Sequence, residues 1–240
     1  MRSDQRQPDQ VRPLVLETNW LKDPPGSVLV SLGATRVLCT ATVEERVPPH
    51  RQAAGGGWLS AEYTMLPGST RERRRRDREH VDGRTVEIQR LIGRSLRAAI
   101  DLDRIGPRTI WIDCDVLQAD GSTRCAAIGG GSVALALALR HLARLGAMPP
   151  FDRLLRDQVA AVSVGIVDGE IVVDLCQEED SRADVDMNVV ATAGGRLIEI
   201  QGTAEGQAFP RDRAGQMIDR ALAAIAVLTE QQRRVVEISA

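Results

Sequence analysis

One stretch of the sequence, SVALALALRHLARL at residues 132–145, constrains the fold more than any other. Its apolar residues recur on nearly every side of a helix, whereas a surface helix confines them to one stripe. The stretch therefore predicts a helix that is buried by its neighbours. The chain has 240 residues, which is long enough to build a core around such a helix.

Strand and turn patterns surround this helix. Alternating apolar residues predict strands over residues 12–21, 27–43, 108–118, 158–167, 170–176, 184–193 and 196–205. Tight turns are predicted at Gly33-Ala34, Asp168-Gly169 and Gly194-Gly195. Helical spacing predicts two more helices, over residues 86–101 and about 212–236. Because strands and helices do not alternate regularly, the order predicts an α+β fold in which mixed sheets pack against helices.

The run RERRRRDR at residues 71–78 carries six arginines against Glu72 and Asp77, in a chain whose formal net charge is −2. Such a run cannot enter a core, so it predicts an exposed and mobile loop over about residues 69–82. A local basic patch attracts a polyanion through phosphate contacts. With aromatic residues at only 2%, recognition by backbone and shape is favoured over base stacking. A loop that merely aids solubility is the alternative.

Several absences bound the class of protein. No linker divides the chain, so a single domain over residues 1–240 is expected. No apolar run reaches the roughly 18 residues of a membrane span, and the N-terminal residues lack the apolar middle of a signal peptide. We therefore expect a cytoplasmic protein with no membrane partner. The cysteines lack zinc-site spacing, which favours reduced and mostly buried thiols at Cys39, Cys114, Cys125 and Cys176.

The stretch QADGSTRCAAIGGGS at residues 118–132 has the character of an oxyanion site. Asp120 and Gly121 form a turn after a strand, and the hydroxyls of Ser122 and Thr123 can cap the helix that follows. A helix N-terminus attracts anions, and Arg124 adds a planar fork that matches phosphate. The alternative is an ordinary cap, with Arg124 in solvent.

A second arginine stands at the start of another predicted helix, in DGRTVEIQRLIGR at residues 82–94. Arg84 precedes Thr85, which can cap this helix. A cation is unfavourable at a helix N-terminus, so Arg84 suggests an anionic partner. The other arginines of the helix share one face and favour a solvated surface: Arg90, Arg94 and Arg97.

Five carboxylates lie close together in EEDSRADVDMNV, at Glu178, Glu179, Asp180, Asp184 and Asp186. Their repulsion can be relieved by a bound cation, by a nearby arginine or by a raised pKa. Alternation places Asp184 and Asp186 on one face of a strand. Simple surface charge is the alternative.

Segments along essentially the whole chain resemble the ribonuclease PH family, in the same order. The most specific are GRTVEIQRLIGR and WIDCDVLQADG, supported by GWLSAEYTMLPGST, EEDSRADVDMNVV and IEIQGTAEG. The resemblance implies the ribonuclease PH fold and a phosphate-dependent 3′-5′ exoribonuclease that trims transfer-RNA precursors and other RNA 3′ ends. Inorganic phosphate, as co-substrate, would release nucleoside 5′-diphosphates in a reversible reaction.

The resemblance also implies roles for residues. Phosphate would be held by Arg84 and by Ser122, Thr123 and Arg124. Asp180 and Asp186 match the catalytic pair, which would bind a divalent metal such as Mg²⁺ or protonate the leaving 3′-oxygen. RNA would meet the arginines of the loop: Arg71, Arg73, Arg74, Arg75, Arg76 and Arg78.

The resemblance further implies a homohexamer built as a trimer of dimers. Two positions depart from the family pattern, since Ser122 stands where glycine is usual and Cys125 where threonine is common. A non-catalytic RNA-binding ring subunit of the exosome type is the alternative, but it need not keep both the arginine pair and the aspartate pair. Another alternative, an enzyme acting on a small phosphorylated metabolite, leaves the arginine run without a role.

Overall fold

The computed structural model describes residues 2–53, 55–76 and 82–239, and two sheets organise them. The first sheet has five strands in the order β1-β2-β3-β5-β4. All its pairs are antiparallel except β4 with β5, which is parallel. Its strands are β1 (Leu14–Thr18), β2 (Gly26–Leu32), β3 (Thr35–Glu44), β4 (Trp58–Met65) and β5 (Thr109–Gln118).

The second sheet is antiparallel, with four strands in the order β7-β6-β8-β9. These are β6 (Val159–Val167), β7 (Glu170–Val173), β8 (Val185–Thr192) and β9 (Leu197–Ala204). Asp168 and Gly169 join the first hairpin with φ values of 51° and 78°, the left-handed conformation that tight hairpin turns require. All three predicted turns are confirmed.

The helices are α1 (Pro49–Gln52), α2 (Gly83–Ala99), α3 (Thr123–Arg144), α4 (Gln177–Asp180) and α5 (Arg211–Ile238). α3 is the buried helix that the sequence predicts: it packs on β2, β3 and β5 of the first sheet and on β6 of the second. It has the length and hydropathy to cross a membrane, but most of it is buried in the protein core, as expected of a core helix.

Small residues let α3 approach the first sheet closely. A Cβ atom on Gly130 would lie 2.4 Å from Val30 Cγ2 and 2.6 Å from Cys39 Sγ, so only glycine fits. A second core lies between α5 and the four-stranded sheet, around Met217, Ile225 and Met187. α2 packs on β4 and against α3.

β4 and the cap of α2 differ from the sequence prediction. β4 was not predicted, because a polar, glycine-rich context surrounds it; alternate burial of Leu59, Ala61 and Tyr63 is the signal that identifies it. The cap of α2 is Asp82, whose carboxylate accepts from the Thr85 amide at 2.6 Å, so the prediction that Thr85 is the cap is wrong.

The remaining predictions concern the cysteine thiols, the arginine-rich loop and the number of domains. The cysteines are free, with Cys39, Cys114 and Cys125 buried and Cys176 partly buried, as predicted. The arginine-rich loop is described over residues 69–76, which contain no helix or strand, and residues 77–81 lie outside the described residues. Its mobility and the single-domain organisation stay predictions.

Candidate active site

A cavity of about 250 Å³ opens at the N-terminus of α3. The four residues predicted as catalytic all line it, although they come from α2, α3, α4 and β8: Arg84, Arg124, Asp180 and Asp186. Ser122 and Thr123, predicted to bind phosphate, line it as well. Folding therefore brings the two arginines and the two aspartates to one place.

The backbone at the start of α3 is shaped for an anion. Gly121 has φ 74° and Ser122 has φ 54° and ψ 26°, both left-handed, and the helix begins at Thr123. A left-handed residue followed by helical ones turns successive N–H groups toward the same side, which is an anion-binding arrangement. The first N–H groups of a helix also lack internal partners and carry partial positive charge.

Ser122 does not cap α3 with its side chain, contrary to the prediction. Its hydroxyl lies 2.8 Å from Ser163 Oγ and donates at 3.1 Å toward Asp174 Oδ1 and the Leu175 carbonyl. The Thr123 hydroxyl accepts from the buried Tyr63 hydroxyl at 2.9 Å. Both hydroxyls are thus engaged away from the helix start, which leaves its amides to a ligand.

Arg124 is held in place and does not extend into solvent. Its Nη1 donates to Gln201 Oε1 at 2.9 Å and to Glu87 Oε1 at 3.3 Å, and the side chain is 18% exposed. Arg84 is exposed at the first turn of α2 and faces the same cavity. The charges of Arg84 and Arg124 both work to lower the pKa of Asp180 and of Asp186, as expected of groups that line one cavity.

The pKa values of both aspartates are raised above the ordinary value. Burial, followed by repulsion from Asp180, raises the pKa of Asp186 to about 6, against the opposing charges of Arg124 and Arg84. Burial also raises the pKa of Asp180, the last residue of α4. Asp186 Oδ2 accepts from Asn188 Nδ2 at 3.5 Å, whereas its buried Oδ1 has no partner among the described residues.

The other carboxylates of the predicted cluster have different surroundings. Glu179 is buried and pairs with Arg2 at 2.6 Å and with Arg6 at 3.5 Å. Asp184 is exposed and precedes β8, so the prediction that it shares a strand face with Asp186 is wrong. Arginine pairing relieves the repulsion at Glu179, and a raised pKa relieves it at Asp186.

Sequence reasoning missed the support behind this site. Asp174 is buried and accepts from Arg12 Nη2 at 2.7 Å and from Arg6 Nη1 at 3.3 Å. Arg2, Arg6 and Arg12 are all buried, although their segment is polar. Three arginines in a short segment that holds only two acidic residues, Asp4 and Asp9, are a weak signal, and it does not identify distant partners.

The predicted RNA-binding arginines divide into two groups. Arg74 lines the cavity and pairs with Asp82 at 3.3 Å. The others in the described part of the loop are exposed: Arg71, Arg73, Arg75 and Arg76. Arg78 lies outside the described residues. Arg74 therefore belongs to the wall of the site, which its place in the run did not indicate.

Asp180 and Asp186 fit a magnesium ion that takes only one or two of its ligands from the protein. Mg²⁺ is usually held by one or two carboxylates and keeps several waters. Asp180 and Asp186 supply two carboxylates, and the orphaned Asp186 Oδ1 is an oxygen without a partner among the described residues. The described residues contain no cluster of three or more histidine, cysteine or acidic side chains that could hold a metal ion.

Two arginines, a helix N-terminus and a pair of carboxylates thus line one small cavity. This arrangement suits a transferase that acts on phosphate groups, where positioning and charge neutralisation supply most of the catalysis.

Comparison with known proteins defines the family. Models of the 3′ exoribonuclease family match residues 10–140 as its domain 1 and residues 157–224 as its domain 2. A ribonuclease PH from Synechococcus sp. is 55% identical over 238 residues, covering 99% of this chain and 98% of the relative. A ribonuclease PH from Moorella thermoacetica is 52% identical over 237 residues, covering 98% of this chain and 94% of the relative.

A solved structure confirms the fold. Rrp46 of rice (Oryza sativa) superposes with a TM-score of 0.79 at 20% identity, over 98% of this chain and 100% of that one. This likeness bears on the fold alone and agrees with the predicted ribonuclease PH fold.

The chain belongs to the 3′ exoribonuclease family, to which its ribonuclease PH relatives over 50% identical also belong. It is a phosphorolytic 3′-5′ exoribonuclease, an enzyme of the nucleotidyltransferase type. The exosome-type alternative, a ring subunit without chemistry, is less supported.

Proposed function

We propose that this enzyme trims the 3′ ends of transfer-RNA precursors, with orthophosphate held between Arg84, Arg124 and the amides of residues 122–124. The observation that carries the proposal is the convergence of Arg84, Arg124, Asp180 and Asp186 on one cavity. Two guanidinium groups and a helix N-terminus can offset the charge of orthophosphate as it approaches an anionic phosphodiester.

The reaction is an in-line displacement at the last phosphodiester. A phosphate oxygen forms a bond to the terminal phosphorus while the bond from that phosphorus to the 3′-oxygen of the preceding nucleotide breaks. The terminal nucleotide leaves as a nucleoside 5′-diphosphate, and the shortened RNA needs a proton at its new 3′-hydroxyl. A carboxyl with a pKa of about 6, as at Asp186, can supply that proton near neutral pH.

Alternatively, Asp180 and Asp186 would hold Mg²⁺, which when bound would offset negative charge on the reacting phosphates; a carboxylate that ligates the ion would not then donate the proton. Metal binding has a test that needs no turnover. Mg²⁺ should raise the melting temperature of the wild type and leave that of Asp186→Asn unchanged. An equal shift in both proteins would contradict a site at Asp186.

RNA approach is assigned to the arginine-rich loop. Arg71, Arg73, Arg75 and Arg76 are exposed beside the cavity, and Arg74 lies in its wall. We include Arg78 with them on its place in the run. Guanidinium groups bind the backbone phosphates of RNA whatever the neighbouring base is, which suits an enzyme that must act on RNA ends of many sequences.

We extend the proposal to a cytoplasmic homohexamer arranged as a trimer of dimers. Exposed apolar side chains on β1 and just after it support association, since Val15 is 51% and Trp20 is 48% exposed. Light scattering should give six times the chain mass of 26.1 kDa. A monomer at micromolar concentration would contradict the assembly.

The decisive experiment uses transfer-RNA precursor labelled in its 3′-terminal nucleotide, with and without inorganic phosphate. Nucleoside 5′-diphosphate should appear only with phosphate, and Arg124→Ala should lower kcat/KM by about 100-fold or more. Arg90→Ala, an exposed arginine on α2, is the matched control and should keep full activity. Nucleoside monophosphate as the product, or RNA that is retained without shortening, would overturn the proposal.

A further inference from the structure

The Arg124 guanidinium is anchored by one edge. Its contacts with the described residues all use Nη1, which donates to Gln201 Oε1 at 2.9 Å and to the Glu87 carboxylate at 3.3 and 3.5 Å. The side chain lines the cavity, so Nε and Nη2 are the donors that remain for a bound ligand. An arginine held in this way presents a fixed fork.

Gln201 can hold only one orientation in this position. Its Nε2 donates to Glu87 Oε1 at 3.0 Å and to Glu199 Oε1 at 3.0 Å. Because carboxylates only accept, the amide nitrogen must face them and the amide oxygen must face Arg124. A flipped amide would place its N–H groups against the guanidinium donors and its oxygen against two anions.

Gln201 is itself held in place through Glu199, which accepts its second amide hydrogen bond. Glu199 Oε2 accepts from Arg94 at 2.5 Å, which ties β9 to α2. Gln201 lies on β9 and is not part of the cavity wall. The chain of contacts therefore runs from rigid elements to Arg124 without touching the space for substrate.

We propose that Gln201 is a positioning residue that orients Arg124 so that its free edge meets orthophosphate as a two-donor fork. This inference rests on the proposed function, because it requires Arg124 to bind phosphate. Glu87 contributes to the same anchor, but its negative charge also competes with phosphate for Arg124. Removing the neutral Gln201 leaves the net charge around Arg124 unchanged, which makes it the clearer position to test.

The test compares the effect of a Gln201 substitution on the KM for phosphate with its effect on the KM for RNA. Gln201→Met keeps the length of the side chain and removes the amide. It should raise KM for phosphate, and the dissociation constant of inorganic phosphate measured by equilibrium dialysis, five- to tenfold. KM for RNA should stay within twofold. Gln89→Ala, which removes an amide that donates to Glu62 at 2.6 Å elsewhere on α2, should change neither value.

A double-mutant cycle separates orientation from general disruption. Lysine keeps a cation but has no plane to orient, so Gln201→Met should cost less than twofold in phosphate affinity on an Arg124→Lys background. The same five- to tenfold loss on that background, or equal rises in both KM values, would overturn the inference. Diphosphate release by the wild type without added phosphate would instead defeat the proposed function. Gln201→Ala provides a second variant, and melting curves of each protein establish that it is folded.

Discussion

The hydroxyl of Ser122 donates to Asp174 Oδ1 across 3.1 Å, which links the start of α3 to a buried carboxylate just beyond β7. Arg12 Nη2 donates to the same oxygen at 2.7 Å, and Arg12 Nε donates to Oδ2 at 2.9 Å. One carboxylate thus joins the N-terminal segment to Ser122, whose backbone lies at the start of the proposed phosphate site. The shape of the anion site depends on an ion pair that does not touch the anion.

Asp174→Asn should lower the free energy of unfolding by about 3–5 kcal/mol, because it leaves Arg12 buried without its anion. Burial works to raise the pKa of Asp174, but hydrogen bonds from Arg12 hold it below the ordinary value of 3.8. The stability from this pair is present above pH 3.8 and is lost as the pH falls through the lower folded value. Urea unfolding at several pH values should therefore show the two proteins converging in acid.

Asp168→Asn is the control for that comparison. Its carboxylate is 77% exposed and lies 4.0 Å from Arg182, so its loss should change the free energy of unfolding by less than about 0.5 kcal/mol. Equal effects of the two substitutions would show that the buried Asp174–Arg12 pair contributes no more to the free energy of unfolding than an exposed ion pair does.

Ser122 allows strain to be separated from hydrogen bonding. A non-glycine residue with φ 54° carries roughly 1 kcal/mol of backbone strain, while the hydroxyl contacts contribute about 1 kcal/mol each. Ser122→Ala loses the contacts and keeps the strain, whereas Ser122→Gly loses both. Urea unfolding should therefore rank the wild type first, glycine second and alanine last. Alanine as stable as glycine would show that the backbone there is unstrained.

Gly121 should tolerate no side chain. An added Cβ would lie 2.5 Å from the Leu175 carbonyl oxygen, in a residue with φ 74°. Gly121→Ala should weaken phosphate binding by more than tenfold, because the turn must shift. Gly146→Ala is the matched control: its φ is 69°, but nothing lies within 4 Å of the added Cβ. Both variants place alanine at a positive φ, so they share the backbone strain. An equal fall of phosphate affinity in both variants would contradict the role of the contact with the Leu175 carbonyl oxygen.

Asp186→Asn should abolish activity and yet stabilise the metal-free protein. Its pKa rises from 3.8 to about 6 on folding, so ionisation of the buried carboxyl opposes folding. The gain in the variant should reach about 3 kcal/mol above pH 6 and disappear below pH 3.8. Thermal unfolding without divalent ions, followed across this range, measures it. A gain that does not vary with pH would point to packing as its cause.

The elements that the sequence predicted are those with local periodic signals. The strand at residues 108–118 and the helix at 86–101 correspond to β5 and α2, each within three residues at its ends. The anchors of the site could not be predicted in this way. Gln201 meets Arg124, and Asp174 meets Arg12, only because the two sheets close around α3. A single sequence has no periodicity that pairs such distant residues.

The placement of Gly130 in α3 has a consequence for how this enzyme can change over time. α3 is a rigid rod that fills the centre of the protein and carries at its N-terminal tip Arg124, which we propose binds phosphate. A bulkier residue at Gly130 would push the rod away from Val30 and Cys39, and the tip would move with it. Mutations in the deepest part of the molecule are thereby exposed to selection on catalysis, as well as on stability.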